Sequence, residues 1–283
     1  MRFTRALRLG IGVLALTVVA SGCGAGSPRT AVQDAAAGKL TVGIKFDQPG
    51  MGLQNRDGSF SGFDVDVATY IAGKLGVAPQ NITYKEAPSA QRERLIQSGQ
   101  VDMVVASYSI TDQRKQKVDF AGPYFVAHQG LLVRADNTAI HDPNSLPAGS
   151  RLCTVAGSTS ADQVKREFPQ GVKLTEYDTY SLCVEALQSK MVDAVTTDDI
   201  ILAGYQARSP RLLKLLGPIT LDGKPVQELY GIGLRKDDNE SRAKIGDAIS
   251  AMLTDPAKPW QTALTKNLGT DFPIPAPPSV DRY

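Results

Sequence analysis

From residue 39 onward, apolar runs of strand length alternate with stretches whose apolar residues recur at helical spacing. Residues 39–46 (KLTVGIKF) read as a first strand. Asp47-Gln48-Pro49-Gly50-Met51-Gly52 breaks it with turn chemistry, and Asn55-Arg56-Asp57-Gly58 is a hairpin tip. A helix opens in Gly62-Phe63-Asp64-Val65-Asp66-Val67, with Asp64 as its cap. Its apolar face is Val67, Ala68, Ile71, Ala72 and Leu75, and Gly76 suits the position after its end. Residues 82–85 form a short strand. Ser89 caps a helix that contains Leu95 and Ile96 and ends near Gly99, and residues 101–106 form the next strand. Residues 129–134, 151–156, 174–177, 192–197 and 228–235 read as further strands. A helix after Gly157-Ser158-Thr159-Ser160 stops before Pro169, and another over 181–190 turns Leu182, Cys183, Ala186 and Leu187 inward. Ile245, Ala248, Ile249, Met252 and Leu253 fall on one helical face, and Pro259 starts a last helix ending near Gly269. Pro273, Pro275, Pro277 and Pro278 make residues 271–283 an extended, dispensable tail. The alternation predicts an α/β protein.

The chemistry concentrates where strand 101–106 meets the next helix. Ser107-Tyr108-Ser109-Ile110-Thr111-Asp112-Gln113-Arg114 offers hydroxyls, backbone N–H groups and a bidentate guanidinium to one anion. We expect it to hold the α-carboxylate of an amino acid. The ordinary alternative is an ST-turn, a Thr111 cap and a solvated Arg114. Gly157-Ser158-Thr159-Ser160 repeats the strand-to-hydroxyl-to-helix pattern without repeating the sequence.

Composition narrows the class. Hydrophobic content of 42% and charged content of 21% are ordinary for a globular protein of 283 residues. Arg2, Arg5 and Arg8 precede an apolar stretch, 11–20, and Ala20-Ser21-Gly22-Cys23 ends in small residues before a cysteine. This layout is a secretory signal over 1–22, resembling a lipobox with Cys23 as the lipidated terminus. Residues 23–38 would then be a flexible tether. With the three arginines gone, 31 basic residues less three face 29 acidic ones, a net charge of −1. That excludes a basic footprint for nucleic acid. Cys153 and Cys183 remain as an even pair in an oxidising compartment, a disulfide or two buried thiols. Only His128 and His141 are available as imidazoles, and neither has metal-ligand spacing to the cysteines. No cofactor or metal is expected.

Two of these stretches resemble one family. Gly62-Phe63-Asp64-Val65-Asp66-Val67, with Ile71-Ala72 and Leu75, is similar to the signature of the polar-amino-acid family of extracytoplasmic solute-binding proteins, the capture components of ABC importers. Ser107 to Arg114, with Val118-Asp119-Phe120 and Pro123-Tyr124, matches the same family in register. Within it, the chain most resembles glutamate-binding lipoproteins. The resemblance implies a two-lobe, type II periplasmic-binding-protein-like fold with two crossover hinge strands. Lobe one would comprise 39–125 and 231–270, and lobe two 126–230. It implies closure on the ligand, monomeric behaviour, ABC permease subunits as partners, and a lipid anchor on the outer face of the cytoplasmic membrane. It further implies that Ser107, Ser109 and Arg114 take the α-carboxylate, that Ser158 and Thr159 add donors, and that Asp198 accepts the α-ammonium. Lys45, Ser89 and Arg92 match positions that hold the side-chain carboxylate in relatives binding glutamate or aspartate. Cations at two places around one pocket favour a dianionic ligand, because an isolated buried cation is costly. For each of these residues a structural role is the alternative: caps for Thr159, Asp198 and Asp199, surface charges for Lys45 and Arg92, and core packing for Phe46 and Met51.

The expected ligand is glutamate, with aspartate or an amide amino acid as alternatives. An enzyme on the same fold, such as a cyclohexadienyl dehydratase, would need a general acid or base in the cleft. Neither histidine lies at a strand-end junction, and no HExxH, P-loop or GxGxxG occurs. A sensor ectodomain would need a membrane-spanning segment after Gly269, and residues 270–283 carry none.

Overall fold

The computed structural model of the protein describes residues 29–144, 146–167 and 171–281. The chain enters through helix α1 (Ala31–Ala36) and strand β1 (Leu40–Ile44). A small antiparallel sheet follows: β2 (Asp47–Gln48), β3 (Gly52–Gln54) and β4 (Phe60–Ser61), with the 55–58 turn at the β3–β4 tip. Next come α2 (Phe63–Lys74), β5 (Ile82–Glu86), α3 (Arg92–Gln97), β6 (Met103–Val104) and α4 (Asp112–Lys115). Strand β7 (Asp119–Arg134) leads to β8 (Arg151–Val155), α5 (Thr159–Glu167), β9 (Lys173–Tyr177) and α6 (Tyr180–Gln188). Then follow β10 (Ala194–Asp198), α7 (Asp199–Arg208), β11 (Leu213–Leu216) and the hairpin β12 (Thr220–Leu221) and β13 (Lys224–Pro225). Strand β14 (Gln227–Leu234), α8 (Asn239–Thr254) and α9 (Pro259–Leu268) complete the order.

Two lobes share β7 and β14. Lobe one has the strand order β5-β1-β6-β14-β7, with β5, β1 and β6 parallel and β14 antiparallel to both its neighbours. Lobe two has β7-β10-β8-β9, with β11 on the other side of β7. The single strand β7 pairs with β14 over its first part and with β10 and β11 over residues 129–134. Each sheet is apolar on both faces, as buried parallel strands require. Met103 and Val105 join one core cluster while Val104 and Ala106 join the opposite one. At the crossover, Phe63, Tyr124, Phe125, Tyr230 and Trp260 form an aromatic group with ring centroids 5.7–6.3 Å apart. Such pairs contribute about 0.5–1.5 kcal/mol each beyond area burial. The Trp260 indole N–H donates to Tyr124 O at 2.9 Å.

Several expectations change. Residues 31–36, placed in a tether, are helical: Thr30 and Gln33 form a capping box, and Ala31 and Ala35 bury against the core. Small side chains that suggest a linker also let a short helix lie close. Asp64 is not a cap. It is the second residue of α2, whose N-cap is Gly62, and its carboxylate turns into the lobe. Ser89 caps nothing, because a 3-10 turn (Ser89–Gln91) precedes α3. The strand expected over 129–134 is the end of β7, which runs on through Gly122 and Pro123. Leu182 is 43% exposed, since α6 buries Tyr180, Cys183, Ala186 and Leu187 instead. The tail is extended but held: Asp281 N–H donates to Gly122 O, and Phe272 and Val280 pack on the core. Phe46 packs against Phe60 with the rings tilted, and Met51 is core. Cys153 and Cys183 form a disulfide joining β8 to α6. Among the described residues no helix is long and apolar enough to cross a membrane, and no group of His, Cys, Asp and Glu could hold a metal ion. Residues 1–22 and Cys23 lie outside the described residues.

Candidate functional site

The carboxyl ends of five parallel strands converge on the cleft between the lobes, the position where open α/β sheets bind ligands. Lys45 follows β1, Ser89 and Arg92 follow β5, Ser107 and Ser109 follow β6, Ser158 and Thr159 follow β8, and Asp198 ends β10. Together with Arg114 at the end of α4, these residues line one cavity. All nine site residues expected from the sequence are therefore brought together. Gln48, Ser160, Tyr180, Thr197 and Ile201 also line it, and sequence reasoning missed them.

The cations are set in two groups. Lys45 Nζ donates to Ser89 Oγ at 2.8 Å, and Arg92 Nε donates to Ser89 O at 3.3 Å, so both converge on one serine. A terminal nitrogen of Arg92 donates to Ala106 O at 3.0 Å. Arg114 donates to Ser109 O at 2.8 Å and, across the cleft, to Gly157 O at 3.0 Å. Its Nε lies 3.6 Å from Glu93. The Tyr108 ring stands 4.2 Å from the Arg92 guanidinium and 5.1 Å from that of Arg114. It thus offers a π face to both like charges. Burial, then the neighbouring Arg92, lowers the Lys45 ammonium to a pKa of about 7. Burial and Arg114 lower Arg92 to about 10. Both shifts express the cost of desolvating cations at this site.

The anions are also built in. Asp198 is buried, and burial with nearby Glu228 pushes its carboxyl well above the usual range. Tyr230 OH donates to its Oδ2, while its Oδ1 has no hydrogen-bond partner among the described residues. The same is true of the Tyr180 hydroxyl. In lobe one, Ser107 adopts φ +46°, a left-handed conformation that costs a non-glycine residue about 1–2 kcal/mol. Asp64 holds it there, accepting from Ser107 N at 2.8 Å and from Tyr124 OH at 2.7 Å. Ser107 Oγ donates to Gln48 Oε1 at 3.0 Å. Burial raises the Asp64 carboxyl to about 6 against these hydrogen bonds.

The lobes are closed on each other. Ser109 Oγ and Thr159 Oγ1 are 3.4 Å apart across the cleft, Ser181 N–H donates to Asp47 Oδ2 at 3.1 Å, and Tyr205 OH donates to Asp47 O at 2.7 Å. Thr111 caps α4, as the ordinary reading had it, yet Arg114 is buried and not solvated. Ser158 also acts as a cap, accepting from Ala161 N at 3.0 Å. Asp199 accepts from His128 N at 3.1 Å and does not line the cavity.

Comparison with known proteins completes the description. Residues 40–259 match the family described as bacterial extracellular solute-binding proteins, family 3. The chain is 47% identical over 242 residues to the glutamate-binding protein GluB of Corynebacterium efficiens, covering 84% of this chain and 81% of that protein. It is 33% identical over 245 residues to a glutamine-binding protein of Geobacillus stearothermophilus, covering 80% and 90%. Its fold is similar to that of an ancestral arginine-binding protein bound to glutamine, with a TM-score of 0.72 and 33% identity, covering 82% of this chain and 98% of that one.

Proposed function

We propose that this chain, which belongs to family 3 of the bacterial extracellular solute-binding proteins, captures L-glutamate between its lobes. As a member of that family it is an extracytoplasmic amino-acid-binding receptor and not an enzyme. The observation that carries the ligand is the charge of the cavity lining: Lys45, Arg92 and Arg114 against Asp198. This is the complement of a molecule with two carboxylates and one ammonium. In this reading Arg114, Ser107, Ser109, Ser158 and Thr159 receive the α-carboxylate, and Asp198 receives the α-ammonium. Lys45 and Arg92, which meet at Ser89, receive the side-chain carboxylate. The glutamate-binding relatives support the same ligand.

A glutamine-binding relative keeps an amide ligand as the second reading. An amide leaves two buried cations without an anion, which is unfavourable. Calorimetric titration of refolded, ligand-stripped protein decides. Glutamate should bind at least tenfold tighter than glutamine or aspartate, and arginine should not bind. Arg92→Ala should cost glutamate more than glutamine. Tightest binding of glutamine or arginine, or equal losses on Arg92→Ala, would sink the assignment.

Delivery to an ABC permease and anchoring through lipid on Cys23 belong to the same proposal, as do the lobe limits 39–125 with 231–270 and 126–230. Cys23→Ser should release the protein from membranes into the medium. Retention would remove the anchor from the proposal.

A further inference from the structure

The two strands that join the lobes each carry one buried tyrosine whose hydroxyl ends on a carboxylate. Tyr124 of β7 donates to Asp64 in lobe one, and Tyr230 of β14 donates to Asp198 in lobe two. The two rings lie 6.1 Å apart, and Tyr230 also packs 5.9 Å from Phe125. Main-chain pairing fixes Tyr230 further, through Phe125 and an isolated bridge to Ser109. We propose that Tyr230 is a positioning residue for cation recognition: it occupies Asp198 Oδ2 and so leaves Oδ1 as the acceptor for the ligand's ammonium. The proposal rests on the reading that Asp198 takes that ammonium.

The physical case has two parts. An aspartate χ2 torsion is broad and roughly two-fold, so an unheld carboxylate presents either oxygen over a range of angles. A donor locked by ring packing removes that freedom before the ligand arrives, which lowers the ordering cost of binding. The second part is charge. Burial, Glu228 and Asp199 all disfavour the ionised Asp198, while Arg114 and the Tyr230 hydrogen bond favour it. The titratable and charged groups that face Asp198 are Glu228 and Tyr230 on β14, Asp199 on α7, Arg114 on α4 and Tyr180 on α6. Tyr230 supplies the hydrogen bond among them that favours the ionised carboxylate, the form an ammonium needs, against the burial that disfavours it.

The test uses the intact chain with Tyr230→Phe, Tyr124→Phe and Asp198→Asn. Phenylalanine retains the ring contacts of either tyrosine, so the fold is kept. L-Glutamate affinity is read by calorimetry, and the Asp198 carboxyl is titrated by carbon NMR in the glutamate complex. Tyr230→Phe should weaken glutamate roughly tenfold or more, as loss of a hydrogen bond to a charged group does, and should move the Asp198 midpoint up. Tyr124→Phe should leave that midpoint in place. An unchanged affinity for Tyr230→Phe overturns the proposal. So does a weakened affinity with an unmoved midpoint, which would mark a packing role. Asp198→Asn tests the parent reading separately: if it binds glutamate like the wild type, the ammonium assignment falls whatever Tyr230 does.

Discussion

Two guanidiniums and an ammonium in one cleft repel each other unless something negative lies between them. The Lys45 ammonium is the most sensitive to this, because it sits with Arg92 at the same serine. Burial in the folded protein takes Lys45 from its ordinary 10.5 to about 7. Between those values the folded form binds fewer protons than the unfolded one, so stability falls as pH falls and the full penalty is present below about 7. The ligand-free protein should therefore become more stable as pH rises from 7 toward 10, read as a rising urea midpoint. Lys45→Met should reduce the dependence. A midpoint with the same pH dependence in both proteins would show that Lys45 is not the group responsible. Lys45 was legible in the sequence because a lysine in an otherwise apolar strand has a reason to be there. Arg114 was legible from its place after two serines at a strand end. Gln48, Tyr180, Thr197 and Tyr230 were not, because their relation to the cleft exists only after the two lobes meet. Their local sequence reads equally well as turn, helix start, strand and core.

Among the elements, β8 and α6 are joined covalently, β8 leads directly to Ser158 and α6 begins with Tyr180, and both residues line the cavity. Both half-cystines are fully buried, and their sequence separation is 30. Closing a loop of that size stabilises by about 3–4 kcal/mol in the chain-entropy model. Replacing both cysteines by alanine should lower unfolding free energy by about that amount in urea, with the midpoint shifting to lower denaturant. A loss under about 1 kcal/mol would show that packing around the site, and not the crosslink, holds the two elements. Element identity was readable wherever period and punctuation agreed, as in α8 and α9. It failed at β7, where only residues 129–134 read as a strand, although one strand of 16 residues runs through Gly122 and Pro123 to reach them. It failed again at α1, where the alanines of a packing surface look like those of a linker.

For the whole molecule, the state that matters is the contact between lobes, and two glycines mark where it is tightest. A Cβ on Gly204 of α7 would lie 1.9 Å from Pro49 O, and one on Gly157 would lie 2.7 Å from Ala90 Cα. Both neighbours belong to the opposite lobe. Gly204→Ala should block full closure and weaken glutamate at least tenfold. The melting temperature without ligand should hold or rise, since alanine favours a helix interior by about 1 kcal/mol over glycine. Unchanged affinity by calorimetry would mean that closure does not bring these surfaces together. The two-lobe plan was readable from the strand–helix alternation and the family resemblance, but the closeness of the lobes was not, because it joins residues far apart in sequence. The strand order carries a further consequence, for the order of assembly. Strand β14 lies between β6 and β7 in lobe one, yet it is the last strand in the chain. Lobe two is completed by residues that precede it. A polypeptide that emerges from its N terminus can therefore finish the second lobe while the first still has a gap in the middle of its sheet. Until residues 227–234 arrive to fill that gap, the edges of β6 and β7 stand unpaired, so a late segment of the chain is what protects strands made long before it from aggregation.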